Sequence, residues 1–204
     1  MTGATFIIYV KAKLNRLDTA HYEDVRDEEV LLFGNEALKD LTLSFDSGLF
    51  SPKVDARALQ VYLDSLVDDI DETNCTANKA ASPAEVLKLK DIEAFVTIGD
   101  ESGWMPAISR SNDLVSHRQD NPFEKSYPDR PNYRVLDGEI VFDTDGSFAI
   151  TKFRGKKLIM PAEFDASTTL SYPFMEELEN KTVTLLLENL ESRRIETQPV
   201  VSKM

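Results

Sequence analysis

Few residue patterns in this chain match a catalytic or metal-binding motif. Asp143-Thr144-Asp145-Gly146 resembles the start of a calcium-binding loop, which needs glycine at its sixth position and a carboxylate at its twelfth. Those two positions hold Phe148 and Arg154. Because aspartate and glycine are also favoured in tight turns, we expect this segment to form a hairpin turn that holds no metal ion.

Candidate nucleophiles are equally scarce. Ser102 lies near Gly99 and Gly103, but a nucleophile elbow needs serine one position earlier, between its two glycines. The chain has one cysteine, Cys75, and two histidines that lie far apart in sequence. This composition excludes an intramolecular disulfide and disfavours a transition-metal site. The sequence therefore predicts no catalytic residue, no metal site and no cofactor.

Basic residues are densest towards the end of the chain, where phenylalanines interleave with them. Cations that contact phosphates and rings that stack on bases are what single-stranded nucleic acid requires. The alternative is a hairpin turn at Arg154-Gly155 whose lysines discourage edge pairing. The hairpin is favoured because a formal net charge of −13 repels a polyanion. The candidate nucleic-acid residues are Lys152, Phe153, Arg154, Lys156, Lys157, Arg193 and Arg194.

Acidic residues form two clusters in the first part of the chain. Residues 151–204 hold equal numbers of acidic and basic side chains, so the net charge arises in residues 1–150. Such a charge disfavours broad binding to nucleic acid or anionic membranes and favours a partner protein with a basic surface. The residues predicted to contact that partner are Asp64, Asp68, Asp69, Asp71 and Glu72 in one cluster, and Glu23, Asp24, Asp27, Glu28 and Glu29 in the other.

Trp104 is the only tryptophan and is followed by Met105 and Pro106. Tryptophan is enriched among the residues that carry most of the energy of protein interfaces. A buried anchor is an equally good interpretation of the same residue. Trp104 is therefore a candidate partner-binding residue, with a core position as the alternative.

One segment has a clear helical period. Apolar residues recur every three or four positions between residues 54 and 70, at Leu59, Tyr62, Leu63, Leu66, Val67 and Ile70. This spacing predicts an amphipathic helix over about 54–70. Carboxylates at the end of such a helix oppose the helix dipole, which suggests that the second acidic cluster serves a partner rather than stability.

Most other apolar segments are typical of strands or turns. Asp137-Gly138 is a favoured hairpin turn between strands at 133–136 and 139–142, the start of a predicted C-terminal meander. Ser82-Pro83-Ala84-Glu85 matches a capping box for a helix that reaches about residue 91, whereas alternation in 87–90 favours a strand, and both readings stay open. Strands are also expected at 6–14, 30–33, 41–45, 95–98, 147–152 and 182–187.

These elements predict an α+β fold with mostly antiparallel sheet. We expect a single domain over residues 1–204, with a long proline-containing loop at about 109–133. The apolar run near the N-terminus is too short for a signal peptide, and no segment is long enough to span a membrane. A cytoplasmic location is therefore expected.

Two functions from different classes fit these features. The first is a non-catalytic acidic protein-binding module of the inhibitor, immunity or anti-defence type found in phages and mobile elements. The second is an OB-like single-stranded-DNA-binding protein, because the order of an early strand, a helix and a late meander resembles such proteins. A phage virion or assembly component, which would form a homo-oligomer, is a third alternative.

Overall fold

The computed structural model describes residues 1–17, 25–110 and 125–197 of the chain, with side chains as far as residue 193. The chain divides into two compact units, one formed by Met1–Ser65 and Pro161–Met204 and the other by Leu66–Met160. Among the described residues, the helical unit has four helices and the β unit has two mostly antiparallel sheets. The predicted α+β class is therefore confirmed, while the single-domain organisation stays a prediction.

The helical unit buries an aromatic core. Its helices are α1 (Gly3–Leu17), α2 (Asp27–Asp46), α3 (Ala56–Ser65) and α4 (Met175–Thr197). Phe6 meets Phe164 edge to face at 5.4 Å between ring centroids, and Phe45 meets Phe174 at 4.8 Å. Within the described ranges, no helix combines the length and the apolar character needed to cross a membrane.

Four strand predictions in this unit are wrong, because residues 6–14, 30–33, 41–45 and 182–187 all lie within helices. In α1, the buried residues Phe6, Val10 and Leu14 recur every four positions, which is one face of a helix. The β-branched residues between them resembled a strand only locally. Packing of this stripe against the other helices outweighs their modest β propensity.

The β unit contains eight strands in its described part. They are β1 (Val67–Asn74), β2 (Lys79–Ala81), β3 (Val86–Ile98), β4 (Glu101–Pro106), β5 (Ile108–Ser109), β6 (Asn132–Leu136), β7 (Glu139–Asp143) and β8 (Ala149–Ile159). The first sheet has the order β1-β8-β3-β4, and the second sheet has the order β2-β7-β6-β5. Among the strands that the structure describes, only the short β5–β6 pair is parallel.

The two sheets share one hydrophobic core. Ala94 and Val96 of β3 and Phe153 of β8 belong to the same buried cluster as Ile140 and Phe142 of β7. Alternate residues of β3 and β8 therefore point either into this core or to the outer face of the first sheet. That alternation decides which side chains are available to a partner.

Local turn signals were more reliable in this unit. The hairpin at Asp137-Gly138 is confirmed, with φ of +52° and +78° at its two residues, as is a strand at 95–98. The strand alternative for 87–90 is right and the capped helix is wrong, because β3 begins at Val86. The meander stops after β7, since β8 joins the other sheet.

Two further boundaries need correction. The helix predicted over about 54–70 is confirmed only as α3, which ends at Ser65, and β1 follows from Val67. Arg154-Gly155 is not a hairpin turn, because β8 runs through both residues. Gly155 fits there because a Cβ at this position would lie 2.7 Å from Ile92 Cδ1.

Candidate functional site

The acidic and basic clusters predicted as separate surfaces meet on neighbouring strands. β1 pairs antiparallel with β8, which places Asp68 opposite Lys157. Lys157 Nζ lies 3.4 Å from Asp68 Oδ2, and Lys152 Nζ lies 3.1 Å from Glu72 Oε2. The negative charges of Asp68 and Glu72 are therefore neutralised by lysines of the neighbouring strand.

The remaining acids of this cluster are exposed. Asp69 and Asp71 lie on β1, so the idea that they oppose a helix dipole is wrong for them, as it is for Asp68 and Glu72. Asp64 lies on α3, where its carboxylate accepts a hydrogen bond of 2.7 Å from Gln60 Nε2. The argument that carboxylates sacrifice helix stability for a partner therefore fails for the four acids of β1, and Asp64 alone lies in the last turn of α3.

The other acidic cluster opens a helix. Carboxylates in a first turn stabilise the positive end of the helix dipole. Lys11 Nζ lies 2.6 Å from the Asp27 carboxylate, and Arg193 Nη2 lies 2.6 Å from the Glu29 carboxylate. The hydrogen bond from Arg193 lowers the pKa of Glu29. The first-turn acids of α2 are Asp27, Glu28 and Glu29, of which Asp27 faces Lys11 and Glu29 faces Arg193. These contacts give Asp27 and Glu29 a structural role.

The predicted nucleic-acid face is divided by the fold. Phe153 is fully buried in the core of the β unit, so its ring cannot stack on a base from outside. Arg193 belongs to the helical unit. The side chain of Arg194, the last of these candidates, lies outside the described residues. The same holds for Glu23 and Asp24 of the acidic cluster that leads into α2.

An aromatic and cationic cluster occupies the outer face of the first sheet. The turn at Gly99-Asp100 joins β3 to β4 and places Phe95 opposite Trp104. Their ring centroids are 5.2 Å apart in an edge-to-face arrangement. Arg154 Cζ lies 4.3 Å from the centroid of the Trp104 ring, which is a cation–π distance.

A carboxylate orients this arginine. Arg154 Nε donates a hydrogen bond of 2.7 Å to Glu93 Oε2, and both side chains are about two-fifths exposed (43% and 42%). Trp104 itself is half-buried, which is intermediate between the exposed partner-binding residue and the buried anchor that its sequence context allowed. We call Phe95, Trp104, Arg154 and Glu93 the aromatic–arginine cluster.

A charged groove of about 360 Å³ adjoins the cluster. Glu93 and Arg154 line it together with Asp69, Asp91 and Lys156. The groove can offer carboxylates and cations to polar side chains of a partner. Among the described residues, no group of three or more histidine, cysteine or acidic side chains is placed to hold a metal ion.

Two other residues from the motif search have structural roles. The Asp145 carboxylate accepts hydrogen bonds from the backbone and hydroxyl of Ser147, which hold its pKa well below the usual range. The chain bends after Asp145, but the predicted hairpin turn is wrong, because β7 and β8 belong to different sheets. Burial raises the pKa of the Cys75 thiol to about 11. The thiol is therefore protonated near neutral pH and is a weak nucleophile.

Phe95 and Glu93 were missed in the sequence, although a signal for Phe95 was present. A turn of two residues after Ile98 pairs Ile98 with Glu101, and counting back from this pair places Phe95 beside Trp104. The contacts of Arg154 with Trp104 and Glu93 depend on β8, which no local pattern places next to β3.

No protein-family model matches this chain, and no curated protein matches its sequence significantly.

Proposed function

We propose that this chain is a non-catalytic acidic protein-binding module, of the inhibitor, immunity or anti-defence type, that covers a basic site on a partner protein. The aromatic–arginine cluster is the observation that carries the proposal. Tryptophan and arginine dominate the few interface residues that supply most binding energy. Here both are on one outer sheet face, next to the charged groove.

The cluster is ordered before a partner arrives. Arg154 is held between the Trp104 ring and the Glu93 carboxylate, and Phe95 supports the same ring. Ordering rotamer-rich side chains is one of the costs of association. A partner that docks on this surface avoids much of that cost for Arg154.

Charge supports a basic partner. Asp100 and Glu101 are exposed at the turn that leads into β4, and Asp69 and Asp71 are exposed on β1. Complementary charges raise the association rate and favour the right partner more than they raise affinity. In this proposal the aromatic–arginine cluster supplies affinity, and the acids around it supply steering.

Affinity capture followed by a quantitative comparison tests the proposal. The full chain is used to capture proteins from its source cells, and the dissociation constant of the captured protein is then measured. We expect a protein with a basic surface whose affinity falls about tenfold or more in Trp104→Ala. Leu136→Ala, which truncates an exposed apolar residue of the second sheet, is the matched control and should not change affinity.

Salt provides the second readout. Because steering acts between exposed charges, the association rate should fall as ionic strength rises. If no protein is captured in stoichiometric amount, or if Trp104→Ala and Leu136→Ala behave alike, the proposal is wrong.

One observation favours single-stranded DNA as a second candidate. Lys152 lies opposite Phe95 in the sheet, so cations and rings do share a face. However, Lys152 and Arg154 are paired with Glu72 and Glu93, which competes with phosphate binding. Titration of a fluorescein-labelled oligothymidine at low salt separates the candidates, because saturable binding that Trp104→Ala abolishes would favour DNA.

A further inference from the structure

β4 forms one edge of the first sheet. It pairs with β3 along its whole length, from Glu101 opposite Ile98 to Pro106 opposite Glu93. No strand in the described part of the chain lies on its other side. An unpaired edge presents backbone donors and acceptors that an extended segment of another protein can use.

The backbone groups of this edge can be assigned from the hairpin geometry. A two-residue turn closes on a hydrogen-bonded pair, and bonded pairs then alternate along an antiparallel ladder. The hydrogen bond of 2.7 Å from Ala107 N to Ile92 O continues that alternation. The backbone groups of Ser102 and Trp104, and the carbonyl of Pro106, therefore point away from β3.

The same residues present their side chains on the outer face. Trp104 does so within the aromatic–arginine cluster, whereas Met105, the next residue, packs against the core. A segment added antiparallel to β4 would place the residue opposite Trp104 on the outer face, with its own N–H directed at β4. In the added segment, the residues whose side chains lie on the outer face are therefore the same residues whose backbone N–H groups bind β4.

We infer that β4 receives an extended segment of the partner protein, paired antiparallel, with basic residues on the outer face and apolar residues on the inner face. This inference rests on the proposed function. Asp100 lies exposed at the turn that leads into β4, and Glu93 lies on the outer face opposite Pro106 at the other end of the strand, so both carboxylates complement the basic residues. On the inner side, the one described atom within 4 Å of the position of the absent Cβ of Gly103 is Met105 Cε, at 3.9 Å, which leaves room for an apolar side chain.

A synthetic peptide tests this mode with the full chain. The probe is a blocked ten-residue peptide of alternating lysine and valine, and the reporter is the fluorescence of Trp104, the only tryptophan. We expect a saturable fluorescence change at low salt. The matched peptide with glutamate in place of lysine should not bind, because it would meet Asp100 and Glu93 with like charges.

Backbone methylation provides the decisive comparison. N-methylation of the lysine residues removes the donors that face β4 and should abolish binding, whereas N-methylation of the valine residues should leave it unchanged. Pro106→Ala adds an outward N–H at an exposed position and should tighten binding about three- to tenfold.

The possible results distinguish failure of edge pairing at β4 from failure of the proposed protein-binding function. Equal binding of both methylated peptides, loss of binding on valine methylation alone, or no binding of the lysine–valine peptide overturns edge pairing. In each case the protein-binding proposal stands if Trp104→Ala still lowers the affinity for the captured partner. If the peptide binds as expected but no protein is captured, the edge is competent and the proposed function is wrong.

Discussion

The helical unit and the β unit use charged residues differently. In the helical unit, ion pairs such as Lys11–Asp27 and Lys181–Asp40 join neighbouring helices at their exposed borders. In the β unit, Glu72 and Lys152 belong to a row of opposite charges that crosses adjacent strands of one sheet. A run of like charges in the sequence is therefore not a like-charged surface when a distant strand supplies the opposite charge.

The largest expected effect contrasts two phenylalanines of the β unit. Phe153 is fully buried, whereas Phe95 lies half-buried on the outer face. Phe153→Ala should lower the free energy of unfolding by about 3–5 kcal/mol, because it leaves a cavity in the shared core. Phe95→Ala should cost clearly less in the same denaturant titration, and equal costs would contradict the assignment of inner and outer faces.

A second comparison uses one tightly packed glycine from each unit. A Cβ on Gly3 would lie 1.9 Å from the Asp165 carbonyl oxygen, and one on Gly155 would lie 2.9 Å from the Asp91 carbonyl oxygen. We expect each Gly→Ala change to cost about 1–3 kcal/mol of unfolding free energy through overpacking. Gly103→Ala is the control and should be near neutral, since among the described residues its Cβ would meet only Met105 Cε, at 3.9 Å.

Ion pairs of the two units should differ little in energy. Glu72–Lys152 is about half exposed on both sides (51% and 44%), and Glu29–Arg193 is exposed mainly at the arginine (22% and 50%). Double-mutant cycles with Glu→Gln and Lys→Met or Arg→Met should give coupling energies of at most about 1 kcal/mol. A much larger value for Glu72–Lys152 would indicate that charge pairing, rather than backbone pairing and Ile70, holds β1.

The smallest effect concerns acid pH in the helical unit. Hydrogen bonds from Ser167 and Thr168 lower the pKa of the Asp165 carboxyl to about 2. Because the native pKa lies below the unfolded value, this contribution to stability is present above about pH 4 and is lost as pH falls towards 2. Titration by NMR should show the low pKa, and Asp165→Asn should remove this part of the pH dependence of unfolding.

Sequence reasoning succeeded where structure depends on neighbouring residues. The Asp137-Gly138 hairpin needs only residues that adopt positive φ between two apolar strands. The turn at Gly99-Asp100 likewise contained the register that brings Phe95 to Trp104. Sequence reasoning failed for α1 and α2, although their buried residues recur at helical spacing, because short apolar runs were compared with a strand pattern over too few positions.

The candidate site shows the same division. The sequence by itself determined the acidic charge, the absence of a second cysteine, the turn before β4 and the presence of a single tryptophan. Only the tertiary structure decided that Asp68 and Glu72 face lysines of β8, that Phe153 points inward, and that Arg154 covers Trp104. The physical reason is that turns are set by local backbone preferences, whereas strand neighbours and burial are set by packing between segments far apart in the chain.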